Sequence, residues 1–531
     1  MSDFTGTGIL VRLAIRRDRV MLPAWIASAV VAAAVSARAA VDLYPTAVSR
    51  IEAAETLNRS QALVALYGRV YDPTSLGALA MIKLGGFGAV CVAMLAVVVV
   101  IRHTRAEEES GRSELVGATA VGRRAPLAAA LTVAVLANLA LALFTAVGLV
   151  AAGLPVGGSF AFGFAWAGTG LAFAAVAAVA AQLTTSGRAA IALSAATVGV
   201  VYAVRAVGDA AGAAGPRWLS WLSPIGWAQQ FRPFAGNRWW VLLITLGFAA
   251  AVGCGALVLA GRRDLGTGLL PTRDGPAAAS RWLRSPFALA WRLQRATLAG
   301  WAVAFSLLGV LLGGIASSAG DFLNSPSAHD FIIKLGGRKG FIDAFLAVEL
   351  AFAGIIASAY GIQAVMRLGS EESDLRVEPV LATAVSRIRW ALSHIVVAVA
   401  GTSLLVVLAG VGAALARGVE TGESGQVGRV FAAALVQLPA AWVLVALVVA
   451  LFGFAPRLIV GGWVALAFFV LLGELGPLLN LSHWVMDLSP FAHTPRLPGA
   501  AFTATPVIAL TVIAGAVAAA GLAGFRRRDI A

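Results

Sequence analysis

The sequence predicts an all-α polytopic membrane protein, with about 12 transmembrane helices arranged as two parallel six-helix repeats. Three observations carry this. The 531 residues are 60% hydrophobic and only 12% charged, where soluble domains carry about 25% charged residues. The apolar residues fall in runs of about twenty, the length that crosses a roughly 30 Å hydrocarbon layer. Short signatures from the first half of the chain return in the same order near its end.

Taken in order, the first half predicts helices over residues 20–41, 78–101, 125–152, 159–182, 189–208 and 239–260. The second predicts them over 297–319, 343–366, 391–416, 430–453, 458–473 and 506–524. The N-terminus imitates a signal peptide, with Arg16, Arg17 and Arg19 before an apolar stretch and Ala37-Arg38-Ala39 after it. Its apolar stretch is long for that role, and a matching segment recurs mid-chain, so it reads as a retained first span. A β-barrel would show shorter segments of alternating polarity.

Orientation follows from the basic residues. With the N-terminus inside, the inner segments hold 25 Lys and Arg and the outer loops 12, which places both termini in the cytoplasm. The lysines are only Lys83, Lys334 and Lys339. This Arg bias, with abundant Ala, Gly and Val, points to a GC-rich bacterial genome, and so to a bacterial plasma membrane as the location. Trp218, Trp221, Trp227, Trp239 and Trp240 in the outer 209–240 loop suit an interfacial belt. Pro216, Pro224 and Pro233 exclude one continuous helix there and favour short interfacial or re-entrant ones.

The duplication has an offset near 265 residues. Ala118-Thr119-Ala120-Val121 returns as Ala382-Thr383-Ala384-Val385, Leu222-Ser223-Pro224 as Leu488-Ser489-Pro490, and Arg262-Arg263-Asp264 as Arg527-Arg528-Asp529. Leu13, Ala14, Arg16, Arg19, Leu22 and Trp25 match Leu289, Ala290, Arg292, Arg295, Leu298 and Trp301, and Leu57-Asn58 matches Leu323-Asn324. An even number of spans per half makes the repeats parallel. The predicted division is 1–260 for the first six-span half, 261–288 for a cytoplasmic linker, and 289–531 for the second half.

The net charge of +14 does not indicate nucleic acid, because the basic residues are dispersed between apolar runs. Cys91 and Cys254 lie inside such runs and read as small buried hydrophobes. His103, His329, His394, His483 and His493 are scattered without metal-ligand spacing, and no nucleophile or carboxylate pair supports an enzyme. No Gly-x-x-x-x-Gly-Lys-Ser/Thr loop occurs, and Gly336-Gly337-Arg338-Lys339-Gly340 lacks its spacing, so the chain holds no ATP cradle of its own. No cofactor is expected in this chain.

Two cytoplasmic segments stand apart, residues 107–123 and 371–387. They align without gaps and keep Glu107/Glu371, Glu108/Glu372, Arg112/Arg376, Glu114/Glu378, Val116/Val380, Thr119/Thr383 and Arg123/Arg387. Eight of the 26 acidic residues lie in 107–114 and 371–378. A solvated turn near the headgroups would account for the arginines, but not for the return of the Glu, Thr and Ala types. A docking surface accounts for both, with carboxylates facing a basic partner and a short Ala/Thr/Val helix filling a groove on it.

These segments resemble the loop after the second helix of ABC-2 type permeases, whose consensus runs roughly Glu-x-Glu-x-Gly-Thr-x-Glu-x-Leu-x-x-Thr-Pro-Val-Ser-Arg. Arg112 and Arg376 replace its Thr, Leu375 its Gly in the second copy, and Ala120 and Ala384 its Pro. The basic amphipathic segments 9–19 and 285–296 look like that family's interfacial elbow helix. Two fused six-span halves with Arg-Arg-Asp after each last span are similar to tetronasin-type exporters of polyketide and ionophore antibiotics. The resemblance implies an ATP-driven exporter of lipophilic or amphiphilic compounds. Two copies of a separate P-loop ATPase, binding ATP and Mg, would dock at the two segments. A secondary transporter with two six-span halves is the alternative, and would need no such segments.

Inside the spans, Lys83 and Glu349 lie at near-equivalent heights, about 27–28 Å from the cytoplasmic edge at 1.5 Å per residue. Both near the outer headgroups is the plainer reading; a Lys83–Glu349 outer gate is the sharper one. Asn138, Gln182, Gln363 and Gln437 read as interhelical hydrogen-bonders.

Overall fold

Hydrocarbon offers no partner to backbone N–H and C=O groups, so these apolar segments fold as helices. The computed structural model describes residues 2–211, 215–270, 277–322, 337–422, 424–475 and 482–528. Among them the regular elements are helices, and 11 are long and apolar enough to cross a membrane. The chain is an all-α multi-pass membrane protein. It divides into two compact units, Met1–Asp274 and Gly275–Ala531. The predicted matches at Leu323, Asn324 and Asp529, and His329, Lys334 and Gly336, lie outside the described residues.

The first unit opens with α1 (Thr7–Arg17), a short helix before the first span, α2 (Met21–Leu43). Then come α3 (Ala47–Arg59) and α4 (Gln61–Tyr67), each started by a hydroxyl cap, Thr46 and Ser60. The second span is α5 (Leu76–Arg102), followed by α6 (Arg105–Glu109) and α7 (Arg112–Gly117). The remaining spans are α8 (Ala125–Ala151), α9 (Val156–Leu183), α10 (Gly187–Ala210) and α12 (Trp240–Ala260). Between the last two lie a 3-10 turn, Arg217–Leu222, and α11 (Pro224–Gln230). These are short helices, as Pro216, Pro224 and Pro233 predict.

Helix α9 is the axis of this unit, packed on α5, α8, α10 and α12. Lipid supplies no hydrophobic drive between helices, so close backbone approach takes its place. At Gly163 a Cβ would stand 2.4 Å from the Ala142 carbonyl oxygen, and at Gly170 it would stand 1.8 Å from Asn138 Oδ1. These two glycines let α8 and α9 touch. Asn138 bonds its own helix at Ala134 (2.8 Å) rather than a neighbour.

The second unit contains α13 (Pro286–Phe322), α14 (Gly337–Ser373), α15 (Glu378–Leu381) and α16 (Arg387–Thr421). It continues through α17 (Ser424–Leu435), α18 (Leu438–Phe454), α19 (Gly461–Leu475), α20 (His483–Met486) and α21 (Ala504–Arg527). The predicted span 430–453 is split at Val436–Gln437, because Pro439 has no N–H to give to the Leu435 carbonyl and its ring crowds that oxygen, so it fits only in the first turn of a new helix. The predicted span 458–473 appears as α19, 15 residues long, which is why 11 rather than 12 helices reach spanning length. Gln363 Oε1 accepts from Trp301 Nε1 (3.1 Å) across helices, whereas Gln437 Oε1 is buried without a hydrogen-bond partner among the described residues.

The two elbow segments differ. In the first unit α1 is a separate helix, and Asp18 just after it is fully buried. In the second, the matching residues run unbroken into α13. Asp18 corresponds to Gln294. Asp is the weaker helix former and sits badly at a helix C-terminus. Its carboxylate is instead taken up by Arg102 Nε (3.0 Å) and His103 Nε2 (2.6 Å). Gln294, also buried, bonds His394 Nδ1 (3.2 Å) from within the helix.

Candidate functional site

The segment after α5 is built on three supports. Arg102 and His103 grip Asp18, and Arg17 forms an ion pair with Glu107. Backbone bonds from Gly122 N to Thr5 O (2.9 Å) and from Arg124 N to Asp3 O (3.0 Å) zip the N-terminus along its far end. A Cβ at Gly122 would stand 2.3 Å from the Asp3 carbonyl, so only glycine fits there. The aligned residue Ser386 acts differently, its hydroxyl capping α16 through Arg389 N (3.3 Å).

Glu108 is the centre of the site. Arg105 and Arg263 converge on it: Arg105 Nη1 at 2.7 Å, Arg263 Nη1 at 2.9 Å, and Arg263 Nη2 on the second oxygen. Arg105 is fully buried, and its Nε and Nη2 also cap the end of α9 at Ala181 O (3.0 and 2.7 Å). Cationic donors suit the orphan carbonyls and negative pole of a helix C-terminus. Arg263 Nε donates to Gln182 Oε1 (2.6 Å), and Thr267 O accepts from both arginines at 2.9 Å. Leu269 N and Leu270 N bond Gln182 O and Leu183 O. The stretch 261–270, read from sequence as the start of a linker, therefore folds against the first unit.

The second unit repeats the central contact. Arg528 Nη2 meets Glu372 Oε1 and Oε2 at 2.8 and 2.6 Å. Among the described residues no amide supports this arginine; its guanidinium lies over the Phe452 and Phe525 rings, at 5.2 and 5.5 Å. A further contact matches across the units. Arg123 Nη2 donates to Arg263 O (2.6 Å), and Arg387 Nη1 donates to Arg528 O (3.0 Å). In each unit the last apolar helix is thus clasped twice by the acidic segment, once by carboxylate and once by guanidinium.

The remaining predicted residues divide into held and free surfaces. Glu107 is paired with Arg17 and with Arg112 (3.5 Å), and Glu371 with Arg367 (2.7 Å) and more loosely with Arg376 (3.8 Å). Thr119 and Thr383 close matching turns, each hydroxyl donating to Val116 O or Val380 O at 2.6 Å. Arg112, Glu114, Thr119, Arg376, Glu378 and Thr383 are wholly or partly exposed, and Leu115 on α7 is 75% exposed. Lys83 is exposed on α5; Glu349 is half-buried on α14 and has a contact of its own. No group of metal-ligating residues occurs among the described residues.

The sequence reading missed Arg105, and took Gln182, Arg263 and Arg528 for a span amide and repeat markers. Their signal was present: Arg-Arg-Asp and Glu-Glu recur together, at ends of the spans that the topology places side by side.

A family model described as the multidrug efflux system permease Rv1217c, C-terminal domain, matches residues 10–260 and 283–526. The chain is also 43% identical, over 532 residues, to the multidrug efflux system permease protein Rv1217c of Mycobacterium tuberculosis (strain ATCC 25618 / H37Rv). That alignment covers all of this chain and 96% of the relative. The chain belongs to the Rv1217c family of multidrug efflux permeases. Both matched stretches of this Rv1217c-family chain contain an acidic segment, yet the first ends at residue 260, before Arg263.

Proposed function

We propose that this chain is the membrane-spanning subunit of an ATP-driven ABC exporter of lipophilic or amphiphilic compounds. Multidrug or antibiotic efflux is the role it would serve. In this reading each clasped acidic segment is a handle for one copy of a separate P-loop ATPase that binds ATP and Mg. The arrangement is that of an ABC-2 permease of the tetronasin type, with two six-span halves and both termini in the cytoplasm.

The observation that carries the reading is the matched pair of clasps, Glu108–Arg263 and Glu372–Arg528. A loop fastened to the last helix of its unit can pass a push on to that helix. The docking contacts themselves fall to the exposed residues, Arg112, Glu114, Leu115 and Thr119 on one segment and Arg376, Glu378 and Thr383 on the other. Leu115, 75% exposed beside Glu114, would add an apolar contact to these charged ones.

The test is co-purification with a P-loop ATPase, sought first in the reading frames adjacent to the one for this chain. Leu115→Asp with Glu114→Arg and Glu378→Arg should abolish capture and ATP-dependent transport while leaving the unfolding temperature unchanged. Undiminished capture by that variant, or transport by the purified chain in proteoliposomes without ATPase, would overturn the proposal.

A further inference from the structure

At the end of the first unit opposite the acidic segment, the chain adopts an unusual turn. Arg232, Phe234 and Asn237 all have positive φ, of 53°, 61° and 39°, and Gly236 has φ 90°. Left-handed backbone is unfavourable for non-glycine residues and survives only where the surroundings over-determine it. Here they do. The Phe234 ring is wedged against Gly77 and Gly158, where a Cβ would stand 2.4 and 2.0 Å from it. Asn237 Oδ1 accepts from Phe234 N at 2.9 Å. The result is to fix Arg232 at the mouth of a cleft enclosing about 550 Å³, space open to solvent included.

The cleft has a charged end and an apolar wall. Arg69, Tyr71 and Arg232 form the first; Met81, Phe162 and Trp166 belong to the second. Neither arginine makes an ion pair among the described residues. Arg232 lies over the Tyr71 ring at 4.1 Å, and its Nε is buried with no acceptor among those residues. Arg69 donates only from Nε, to the Asp209 backbone carbonyl (3.4 Å). The Asp209 carboxylate is already engaged by Ser220 (2.6 Å) and Arg205 (3.6 Å). Tyr71 accepts from Gln230, leaving its own proton to donate; burial, reinforced by Asp209, pushes the phenol pKa up.

Trp166, only 2% exposed, also walls a second cavity of about 610 Å³, space open to solvent included. That cavity is apolar, with Leu84, Phe87, Leu95 and Leu141 among its lining, and it lies where α2, α5, α8 and α9 meet. Its one hydroxyl, Ser28, is satisfied by Trp25 O (2.8 Å). Phe87, 64% exposed, lies at its edge, so the cavity opens on the side of the helix bundle. The indole N–H of Trp166, at the junction of the two spaces, has no acceptor among the described residues.

Two arginines without ion-pair partners among the described residues, beside an apolar cavity, call for one class of molecule, the one nearby carboxylate, Asp209, being engaged by Ser220 and Arg205. We infer that the two cavities form a single bipartite site for an anionic amphiphile. Its acidic head is held by Arg69, Arg232 and Tyr71, and its tail passes Trp166 into the lateral apolar cavity. The site goes beyond the proposed energy coupling, and its binding is measured without any ATPase, so either idea can fail alone.

The probe is 9,10-dibromostearate, whose bromines quench nearby indoles, added to the purified full chain in a neutral maltoside detergent. Saturable quenching is expected, and Trp166→Phe and Trp25→Phe, which remove the two indoles lining the apolar cavity, should together abolish most of it. The uncharged methyl ester should bind at least about tenfold more weakly, as should the Arg69→Gln/Arg232→Gln variant. The Arg69→Lys/Arg232→Lys variant, which keeps the charge, should retain quenching and controls for folding. Nanodiscs separate the sources of such a head group. A lipid ligand predicts that unbrominated phosphatidylglycerol competes with the probe; a free amphiphile predicts that it does not. Equal affinity for acid and ester, or loss of binding in the lysine and glutamine variants alike, would overturn the inference.

Discussion

Gly111 and Leu375 occupy the same place in the two acidic segments and share a left-handed backbone, with φ of 71° and 57°. The turn is therefore kept where its natural residue is not. For an L-residue that conformation costs about 1–2 kcal/mol relative to glycine.

Leu375→Gly should accordingly stabilise the protein by about 1 kcal/mol, after allowing for the extra freedom glycine gives the unfolded chain. Thermal unfolding in detergent measures it. A lowered midpoint would mean that the exposed Leu375 side chain contributes a contact outweighing the strain.

Removing one partner of a clasp leaves the other charge stranded. Arg528→Ala removes the cation that Glu372 holds, and a loss of about 3–5 kcal/mol is expected; Arg263→Ala leaves Glu108 still paired with Arg105 and should cost less. The exchanged pair Glu372→Arg/Arg528→Glu should recover a large part of its loss. Denaturant midpoints for the single and double variants give the coupling energy, and additive losses would show that no pair exists.

Gly122 and Ser386 are aligned but not interchangeable. Gly122→Ser should force residues 2–5 off the segment, which faster proteolysis of the N-terminus would reveal. Ser386→Gly should cost only a few tenths of a kcal/mol, since glycine is itself an acceptable cap. The reverse ranking would contradict the backbone pairing of Gly122 and Arg124 with the N-terminus.

The separate elbow helix of the first unit depends on Asp18. Asp18→Asn removes a buried charge held by Arg102 and His103, and about 3 kcal/mol should be lost. Thermal unfolding of the two proteins in detergent measures it. An unchanged midpoint would show that the ion pairs of Asp18 contribute nothing to the fold.

Much of the architecture was legible in the sequence because lipid imposes a strong, local rule: long apolar runs must be helices. Spans such as Ala125–Ala151 and Trp240–Ala260 fall within a residue of their predicted limits. The rule weakens where helices are shortened or interrupted, as at Gln437 and in α19, since local backbone chemistry and length then compete with hydropathy. The acidic segments were legible as a repeated motif, but not what their carboxylates do. Whether Glu108 faces outward or meets Arg263 depends on where α9 and α12 end relative to α5, a three-dimensional fact that no local pattern encodes. The aromatic and cationic cleft was less legible still. Arg69, Trp166 and Arg232 are distant in sequence, and the turn that aims Arg232 looks like an ordinary Pro/Phe/Gly loop.

The doubly held stretch after α12 bears on how this molecule can be divided. A first half cut at residue 260, where its apolar run stops, would lack Arg263, Thr267 and the two leucine amides that finish α9, and Arg105 would lose one of its carbonyl acceptors. Extended to Leu270, the same fragment keeps its seal. Split-protein experiments, or swaps of halves between relatives, should respect that later breakpoint, which hydropathy alone would place ten residues too soon.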